Sequence, residues 1–428
     1  MSAERYLVVG LARSGVAACE AIRRVWPAAE VLAADQRADI EVGRLRELGV
    51  EPVLGGDVVP VEGLSAVVKS PGVPSQTDQV VAARAAGVPV WSEVELAARM
   101  LRNPIAGVTG TNGKTTTTEL LGAMLRSGGL ACEVAGNVGR PLTALAGLVD
   151  PNAWIACELS SFQLEDIDTL RCRIGVVLNL TPDHLDRHGT VEEYLRCKLR
   201  IFENQRPGDV AIVNGDDPSL RDAELPGQGD RVVVTRDQAK EIDWEHALLR
   251  GDHNLENALA AAAAARAAGV RSTDVDRALR EFAPLRHRLE PVASARGVEF
   301  VNDSKATNPD ATIQALTAFP GAVHLILGGS LKGSDFTDLA TAVAGSPVTQ
   351  TYLIGAAADA IAQSLDAAGV SFERSGTLAA AVDSTAAAAR PGDTVLLSPA
   401  CASFDQFRDY EDRGDTFRRL AQEVAGAA

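Results

Sequence analysis

Lysine is the basic residue that this chain uses least, because only six of its 41 lysine and arginine residues are lysine. Arginine is found wherever a general positive charge is sufficient. Each remaining lysine is therefore a candidate for chemistry that a guanidinium cannot perform, except Lys240, which lies in a polar stretch. The candidates are Lys69, Lys114, Lys198, Lys305 and Lys332.

Four further features of the sequence limit the classes of protein to which the chain can belong. No apolar run approaches the roughly 20 residues of a membrane span, and the first predicted strand begins too early to leave room for a signal peptide. The six cysteines form no C-x-x-C pair, which is typical of reduced, packed thiols. The net charge of −16 has the wrong sign for binding a nucleic acid. We therefore expect a cytoplasmic protein that neither inserts into a membrane nor binds nucleic acid.

Predicted strands alternate with predicted helices along the chain, which indicates an α/β protein with mostly parallel sheets. A chain of 428 residues is too long for one core and suggests about three domains. We predict domains at 1–92, 93–289 and 290–428. The first and last are expected to be Rossmann-like, and the central one to be a parallel sheet of the P-loop type.

The stretch G-T-N-G-K-T-T at 110–116 is the strongest functional signal. It follows a short apolar run, predicted to be a buried strand, and precedes a segment with apolar residues at helical spacing. The backbone N–H groups at such a junction bind phosphate, and the helix dipole favours the negative charge. Lys114 would then reach the β- and γ-phosphates, and the Thr115 hydroxyl would hold Mg²⁺. Val108 replaces the glycine of the common P-loop pattern, so a glycine-rich turn with a solvated lysine is the alternative. The predicted ATP-binding residues of this stretch are Gly110, Thr111, Asn112, Gly113, Lys114, Thr115 and Thr116.

Polar residues follow several predicted strands, at the edge where parallel sheets place their chemistry. Glu158 follows the strand 154–157, and His184 comes shortly after the strand 174–178. A metal bound to nucleotide phosphates could be held there. Asp35 ends the second strand of the chain, where nucleotide-binding units hold a ribose or a base edge. The nearby turn G-L-A-R-S-G departs from G-x-G-x-x-G, so a purely structural turn explains it as well as a ligand site does.

Eight motifs occur in order along the chain. They are G-T-N-G-K-T-T, E-L-S-S-F-Q-L-E, L-T-P-D-H-L-D-R-H-G, K-L-R-I-F, H-N-L-E-N, H-R-L-E, N-D-S-K-A-T-N and S-P-A-C-A-S-F-D-Q-F. Their order and spacing resemble those of the Mur ligase family over essentially the whole length. The D-N-P-R signature of the diaminopimelate- or lysine-adding members is absent, as is the G-T-H-G-K-T loop of the alanine-adding member. The chain is most similar to the branch that adds D-glutamate.

This resemblance implies an ATP-dependent amide ligase of peptidoglycan synthesis. ATP would phosphorylate the carboxylate of UDP-N-acetylmuramoyl-L-alanine, and the amine of D-glutamate would attack the acyl phosphate. The residues are consistent with this chemistry, because two negatively charged reactants can meet only where cations neutralise them. The resemblance further implies two Mg²⁺ ions, a UDP-binding first domain and an enzyme that works as a monomer.

The resemblance also implies roles for individual residues. The catalytic set would be Lys114, Glu158, His184, Lys198 and Lys305. Thr115 and Glu158 would bind the Mg²⁺ on the β- and γ-phosphates, and His184 a second Mg²⁺, although hard cations prefer oxygen. Lys198 would react with CO₂ to give a carbamate, whose negative charge can support the second metal where an ammonium would be repelled; a snorkelling helix lysine is the alternative. The groups around adenine, phosphate and ribose would be Asn257, Arg288 and Asp303.

The resemblance places the remaining residues at two substrate pockets. The UDP-sugar contacts would be Leu11, Ala12, Arg13, Ser14, Asp35, Gln36, Ser70, Gly72 and Asn137. Ser160 and His184 are also expected to contact a substrate. The amino-acid pocket on the last domain would be formed by Thr307, Lys332, Ser403, Phe404 and Tyr410, beside Lys305. Family members often carry leucine at position 404 and phenylalanine at position 410, which would change the shape of the pocket.

Other classes of protein explain fewer of these motifs. A P-loop kinase or a dehydrogenase would leave Lys198 and the two motifs N-D-S-K-A-T-N and S-P-A-C-A-S-F-D-Q-F without roles. A non-catalytic nucleotide-binding relative would be expected to have lost Lys114, Glu158 or His184. A related ligase that uses L-glutamate or another acidic amino acid remains an alternative, because the sequence does not fix the chirality of the amino acid.

Overall fold

The computed structural model describes residues 4–331 and 335–426, and it shows an α/β protein with three separate β-sheets. The chain forms two compact units, one comprising Met1–His246 and Glu256–Arg280 and the other Ala247–Leu255 and Glu281–Ala428. The first unit contains two of the sheets, and the second unit contains the third. The α/β class is thus confirmed, whereas the domain boundaries after residues 92 and 289 stay a prediction. Among the described residues, no helix is long and apolar enough to cross a membrane.

The first sheet has the strand order β3-β2-β1-β4-β5, and all its described pairings are parallel. The strands are β1 (Arg5–Val9), β2 (Glu30–Asp35), β3 (Pro52–Leu54), β4 (Ala66–Lys69) and β5 (Val90–Ser92), and the helices are α1 (Arg13–Val25), α2 (Gly43–Glu47) and α3 (Asp78–Ala85). The central strands β1 and β4 are apolar and buried, as expected where helices cover both faces of a parallel sheet. The chain order reverses between β1 and β4, so a crevice opens at their carboxyl ends.

The second sheet has the order β11-β10-β9-β6-β8-β7, again with parallel pairings. Its strands are β6 (Ile105–Thr109), β7 (Cys132–Gly136), β8 (Trp154–Glu158), β9 (Ile174–Val177), β10 (Val210–Asn214) and β11 (Asp230–Val234). The helices of this part of the chain are α4 (Glu93–Met100), α5 (Lys114–Ser127), α6 (Ser161–Leu164), α7 (Leu185–His188), α8 (Val191–Leu199), α9 (Pro218–Arg221), α10 (Asp252–Ala267) and α11 (Ser272–Glu281). The buried strand before the phosphate loop and the helix after it are both confirmed. The helix begins directly at Lys114, because Gly113 adopts a left-handed conformation and ends the loop there.

The third sheet has the order β12-β13-β17-β14-β15-β16. Its strands are β12 (Glu290–Ala295), β13 (Val298–Asn302), β14 (Val323–Gly328), β15 (Val348–Ile354), β16 (Phe372–Gly376) and β17 (Thr394–Leu397), and its helices are α12 (Pro309–Leu316), α13 (Thr337–Ala344), α14 (Ala358–Ala367), α15 (Leu378–Ala388) and α16 (Tyr410–Gly426). β12 pairs antiparallel with β13, and the other described pairings are parallel. β12 was missed by sequence reasoning, because this half-exposed edge strand lacks the apolar run that identifies a central strand.

Candidate active site

Two glycines and an asparagine shape the phosphate loop at the carboxyl end of β6. Gly110 and Gly113 have φ values of 154° and 83°, which a residue with a side chain rarely adopts. A Cβ at Gly113 would lie 2.1 Å from the Oδ1 atom of Asn257, so this glycine also allows α10 to approach the loop. Asn179 follows β9, and its Oδ1 accepts hydrogen bonds from the N–H groups of Thr111 (3.1 Å) and Asn112 (2.8 Å). Asn179 therefore braces the loop from the neighbouring strand.

Lys114 and Lys198 converge on one carbonyl group of this loop. The Nζ of Lys114 donates to Gly110 O at 2.9 Å and to Thr111 O at 2.8 Å, and the Nζ of Lys198 donates to Gly110 O at 2.7 Å. Lys198 is almost wholly buried on α8, with Nζ 4.3 Å from the centre of the Tyr194 ring. Burial, and after it the positive charge of Lys114, lowers the pKa of Lys198 well below its ordinary value. Lys198 therefore loses its proton more readily than an exposed lysine does.

Glu158 ends β8 and has one carboxylate oxygen without a hydrogen bond. Its Oε1 accepts a hydrogen bond from the Nδ2 of Asn137 at 3.2 Å, whereas its Oε2 is buried and has no hydrogen-bond partner among the described residues. An unsatisfied carboxylate oxygen is costly to bury unless something else occupies it. A divalent cation fits this oxygen well, because Mg²⁺ prefers carboxylate ligands.

His184 lies in the loop that follows β9, half-exposed and packed at 4.9 Å against the Phe162 ring. Its φ of 52° is uncommon for a residue other than glycine, and such strain is concentrated at functional positions. Among the described residues, however, there is no group of three or more His, Cys, Asp and Glu side chains that could hold a metal by themselves. A cation bound here would therefore need further oxygen ligands from phosphate groups or from a modified side chain.

A cavity of about 580 Å³ lies at the carboxyl edge of the first sheet, which is within the usual size range of small-molecule sites. The predicted substrate residues that line it are Ala12, Arg13, Ser14, Asp35, Gln36, Ser70, Gly72 and Asn137. Leu11 is buried beside the cavity, and its N–H donates to Asp35 Oδ2 at 2.7 Å. Asp35 also accepts from the N–H of Arg37 at 2.9 Å, so its carboxylate shapes the turns at this edge of the sheet. Sequence reasoning missed Arg37 and Gln79 in the lining, although Arg37 directly follows a predicted contact.

Within the second unit, the carboxyl ends of the strands of the third sheet bring together further predicted residues. Asp303 is buried, with Oδ2 accepting from the Ser398 hydroxyl at 2.7 Å and Oδ1 from the Leu289 N–H at 3.2 Å. Burial raises the pKa of Asp303 to about 7. The Nζ of Lys305 lies 5.2 Å from the centre of the Tyr410 ring.

The remaining members of the predicted amino-acid pocket differ in exposure. Ser403 is buried, Thr307 is half-buried and the Phe404 ring is 67% exposed. An exposed aromatic ring at a strand end is suited to contact with a ligand. Lys332 lies outside the described residues.

Arg413 is a buried residue of this edge that sequence reasoning missed. Its guanidinium donates to Ser304 Oγ at 2.9 Å, to Ser304 O at 2.8 Å and to Cys401 O at 3.0 Å. It thus ties the loop after β13 to the loop after β17. Burial lowers the pKa of Arg413 to about 10, so the guanidinium still carries its charge at neutral pH. No local pattern distinguishes this arginine from the others of α16.

Two models of known families match the chain. The Mur ligase middle domain matches residues 108–247, and the glutamate ligase domain of Mur ligases matches residues 287–401. The chain is 42% identical to the UDP-N-acetylmuramoylalanine--D-glutamate ligase of Acidobacterium capsulatum, over 100% of this chain and 98% of the relative. It is 45% identical to the ligase of the same name from Anaeromyxobacter dehalogenans, over 98% of both chains.

Solved structures share the fold. The UDP-N-acetylmuramate-alanine ligase MurC from Thermotoga maritima superposes with a TM-score of 0.59 and 18% identity, covering 99% of this chain and 100% of that chain. The MurF ligase from the same organism, in complex with ADP, gives a TM-score of 0.59 and 18% identity, covering 86% of this chain and 90% of that chain. At this identity the likeness concerns the fold.

Proposed function

This chain belongs to the Mur ligase family, and we propose that it joins D-glutamate to UDP-N-acetylmuramoyl-L-alanine at the expense of ATP. Relatives that match over the full length are named UDP-N-acetylmuramoylalanine--D-glutamate ligase. The reaction supplies a precursor of peptidoglycan.

The observation that carries the proposal is the position of Asn137. Its side chain lines the cavity of the first sheet and also donates to Glu158 at the edge of the second sheet. A substrate that fills the cavity would therefore extend toward the carboxylate with the unsatisfied oxygen and toward the phosphate loop. A ligase that phosphorylates its substrate requires this arrangement, because the substrate carboxylate must meet the γ-phosphate.

The nucleotide would bind at the phosphate loop, with Lys114 on the β- and γ-phosphates. Thr115 and Glu158 are suited to hold Mg²⁺ there, and His184 a second Mg²⁺ nearer the substrate carboxylate. Bound Mg²⁺ neutralises the charge of the phosphates and of the carboxylate that approaches them. The buried Oε2 of Glu158 supports this role, because it has no hydrogen-bond partner among the described residues.

We propose that Lys198 is carbamylated in the active enzyme. Its burial and lowered pKa make the neutral amine more accessible than in an exposed lysine, and the neutral amine is the form that adds to CO₂ with loss of one proton. The product carries a negative charge at the position where an ammonium would repel a cation. The carbamate would thus complete the ligands that His184 alone does not supply.

The amine of D-glutamate would attack the activated substrate, with the third sheet providing its pocket. D-glutamate brings two carboxylates, and each needs donors or a cation when it is removed from water. Ser403 and Thr307, together with Lys332, are suited to this task. Lys305, in the loop after β13, lies with its Nζ 5.2 Å from the ring of Tyr410, the first residue of α16.

The proposed reaction has two steps, a phosphoryl transfer and an attack by the amine. A carboxylate oxygen of UDP-N-acetylmuramoyl-L-alanine takes the γ-phosphoryl group, and ADP leaves. The amine nitrogen of D-glutamate then attacks the carbonyl carbon, the amide bond forms, and phosphate leaves together with a proton. Exclusion of water from the acyl phosphate is required, because hydrolysis would waste the activated substrate.

A substrate panel tests the proposal. The purified protein is incubated with UDP-N-acetylmuramoyl-L-alanine, ATP and Mg²⁺ and with one amino acid at a time, and the amide product is identified by mass. We expect product with D-glutamate and none when the UDP-substrate is omitted. Product with L-glutamate instead would favour the related ligase, and phosphate release without any amide would contradict both.

We also propose a cellular compartment and an oligomeric state for the enzyme. We place it in the cytoplasm, where ATP is available and the six cysteines, which form no disulfide, would stay reduced. That it works as a monomer stays a prediction.

A further inference from the structure

Lys69 is the lysine of the candidate set to which the proposed reaction gives no role. It ends β4, and its side chain is wholly buried. Its Nζ lies 2.8 Å from Ser75 Oγ, 3.2 Å from Glu165 Oε2 and 2.5 Å from Asp166 Oδ2. The contacts to Ser75 and Glu165 are hydrogen bonds, whereas the contact to Asp166 is an ion pair, because Asp166 Oδ2 has no hydrogen-bond partner among the described residues. This geometry explains why a lysine rather than an arginine occupies the position.

The partners of Lys69 hold both ends of a loop that lines the substrate cavity. Residues 70–74 lie between Lys69 and Ser75, and all five of them border the cavity. Ser75 Oγ donates to Glu165 Oε1 at 2.6 Å, so one carboxylate binds the residues on both sides of the loop. Glu165 is the C-cap of α6, the short helix that begins just after Glu158. The loop is therefore fixed from the second sheet, at the edge that carries the proposed metal ligand.

Arg187 holds the middle of the same loop. Its guanidinium donates to Pro71 O at 3.1 Å and to Val73 O at 2.9 Å. It lies 3.5 Å from Glu165 Oε2 and 4.1 Å from the centre of the Phe162 ring. Arg187 belongs to α7, which begins directly after His184. Glu165 and Arg187, which bind this loop, are thus close in sequence to Glu158 and His184, respectively.

Oppositely charged side chains surround one another in this cluster. Two carboxylates, of Glu165 and Asp166, face the cations of Lys69 and Arg187, and Arg84 adds a third cation at 2.7 Å from Asp166 Oδ1. Burial alone would raise the pKa of Glu165, but the hydrogen bond from Ser75 and the charge of Lys69 outweigh it and lower the pKa. Buried ion pairs contribute little net stability when intact, whereas removal of one partner leaves the other charge buried and uncompensated.

We propose that Lys69, Glu165 and Arg187 are positioning residues that hold the loop 70–74 in its ligand-binding shape and keep the bound UDP-substrate aligned with Glu158 and His184. This inference rests on the proposed function, because it assigns the cavity to the UDP-substrate. It predicts that breaking the cluster weakens binding of the UDP-substrate selectively. The nucleotide site should be little affected, since the phosphate loop makes none of these contacts.

The variant Lys69→Met keeps the length of the side chain and removes its charge. Calorimetry would measure the dissociation constants of UDP-N-acetylmuramoyl-L-alanine and of a non-hydrolysable ATP analogue. We expect roughly tenfold weaker binding of the UDP-substrate, and a change of less than about twofold for the ATP analogue. A matched control is Arg5→Gln, which removes an exposed ion pair with Glu30 at 2.8 Å on the same sheet and should alter neither constant.

A second variant separates positioning from stability. Arg187→Lys keeps a positive charge near Glu165, but its ammonium cannot bridge Pro71 O and Val73 O as the guanidinium does. We expect its thermal unfolding midpoint to stay near that of the wild type while UDP-substrate binding weakens selectively. Hydrogen exchange should also become faster in the loop 70–74. This variant decides the question if Lys69→Met does not fold.

These experiments distinguish a failure of the positioning role from a failure of the proposed function. A wild type that forms the amide, together with variants that bind the UDP-substrate as tightly as the wild type, would overturn the positioning role and leave the proposed function intact. Equal weakening for the UDP-substrate and the ATP analogue would also overturn it, because that is what a general structural defect produces. A wild type that binds no UDP-substrate and forms no amide would overturn the proposed function and this inference with it.

Discussion

Replacing Gly113 with alanine tests the phosphate loop most directly. Gly113 has a φ of 83°, and forcing alanine into this left-handed conformation costs about 1–2 kcal/mol. Its new Cβ would lie 2.1 Å from Oδ1 and 2.9 Å from Cγ of Asn257, so that side chain must move. Asn257 is one of the predicted nucleotide contacts. We therefore expect a loss of stability together with a loss of nucleotide binding.

Gly129, just beyond the other end of α5, provides a matched control. Its φ is 80°, and no described atom outside its immediate neighbours lies within 4 Å of the position of a Cβ. Gly129→Ala therefore carries the same backbone strain without a collision. Chemical denaturation should show that Gly129→Ala lowers the free energy of unfolding by about 1–2 kcal/mol, and that Gly113→Ala lowers it by at least as much, because Asn257 must also move. The two differ only in what the added methyl group meets.

Calorimetry with a non-hydrolysable ATP analogue and with UDP-N-acetylmuramoyl-L-alanine then separates the effects. Loss of one well-made polar contact corresponds to roughly tenfold in affinity, so Gly113→Ala should bind the ATP analogue about tenfold more weakly or worse. Its affinity for the UDP-substrate should stay within about twofold, and Gly129→Ala should bind both ligands normally. Wild-type nucleotide affinity in Gly113→Ala would contradict a role of this glycine in shaping the nucleotide site, as would an equal loss of affinity in Gly129→Ala.

Four further predictions address single side chains. Lys114→Ala should abolish ligation while UDP-substrate binding stays within a few-fold, and loss of that binding by calorimetry would contradict the assignment to nucleotide phosphates. Lys198→Arg should be nearly inactive because its side chain cannot form a carbamate. Lys198→Ala should regain some activity when short-chain carboxylates are added. Turnover of the arginine variant at the wild-type rate would contradict the carbamate hypothesis. Lys332→Ala should raise the KM for D-glutamate roughly ten- to hundredfold, as expected for one lost charge-assisted contact. Equal changes in the KM values for D-glutamate, ATP and UDP-N-acetylmuramoyl-L-alanine would indicate a solvated lysine instead. Burial raises the pKa of Glu93 from 4.5 to about 7, so its contribution to stability is complete at low pH and is lost as the pH rises through 7. Between about pH 4.5 and pH 7, the free energy of unfolding of the wild type should therefore fall by up to roughly 3 kcal/mol more than that of Glu93→Gln. Equal pH dependence of the two proteins in chemical denaturation would contradict the raised pKa.

Features that depend only on neighbouring residues are predictable from the amino-acid sequence. The apolar run at 105–109, the glycines of the phosphate loop and the helix after them are contiguous, so their pattern specifies a strand–turn–helix junction wherever it occurs. The polar residues that end parallel strands, such as Asp35 and Glu158, were likewise predictable, because the carboxyl ends of such strands share one edge.

Tertiary structure decided the contacts between distant parts of the chain. Lys69 meets Glu165 across 96 positions, and Arg413 meets Ser304 across 109. The low number of lysines in the sequence indicated that Lys69 is unusual, but it could not show which residues Lys69 contacts. Arg413 has the same sequence pattern as the other arginines of its helix, and only the structure shows that it is buried. Asn179 directly follows the predicted strand 174–178, but its hydrogen bonds to the phosphate loop depend on β9 lying beside β6. Local sequence patterns specify which helices and strands form. The packing of the sheets then decides which side chains are buried next to one another. Only this packing places Lys69 in a buried ion-pair cluster.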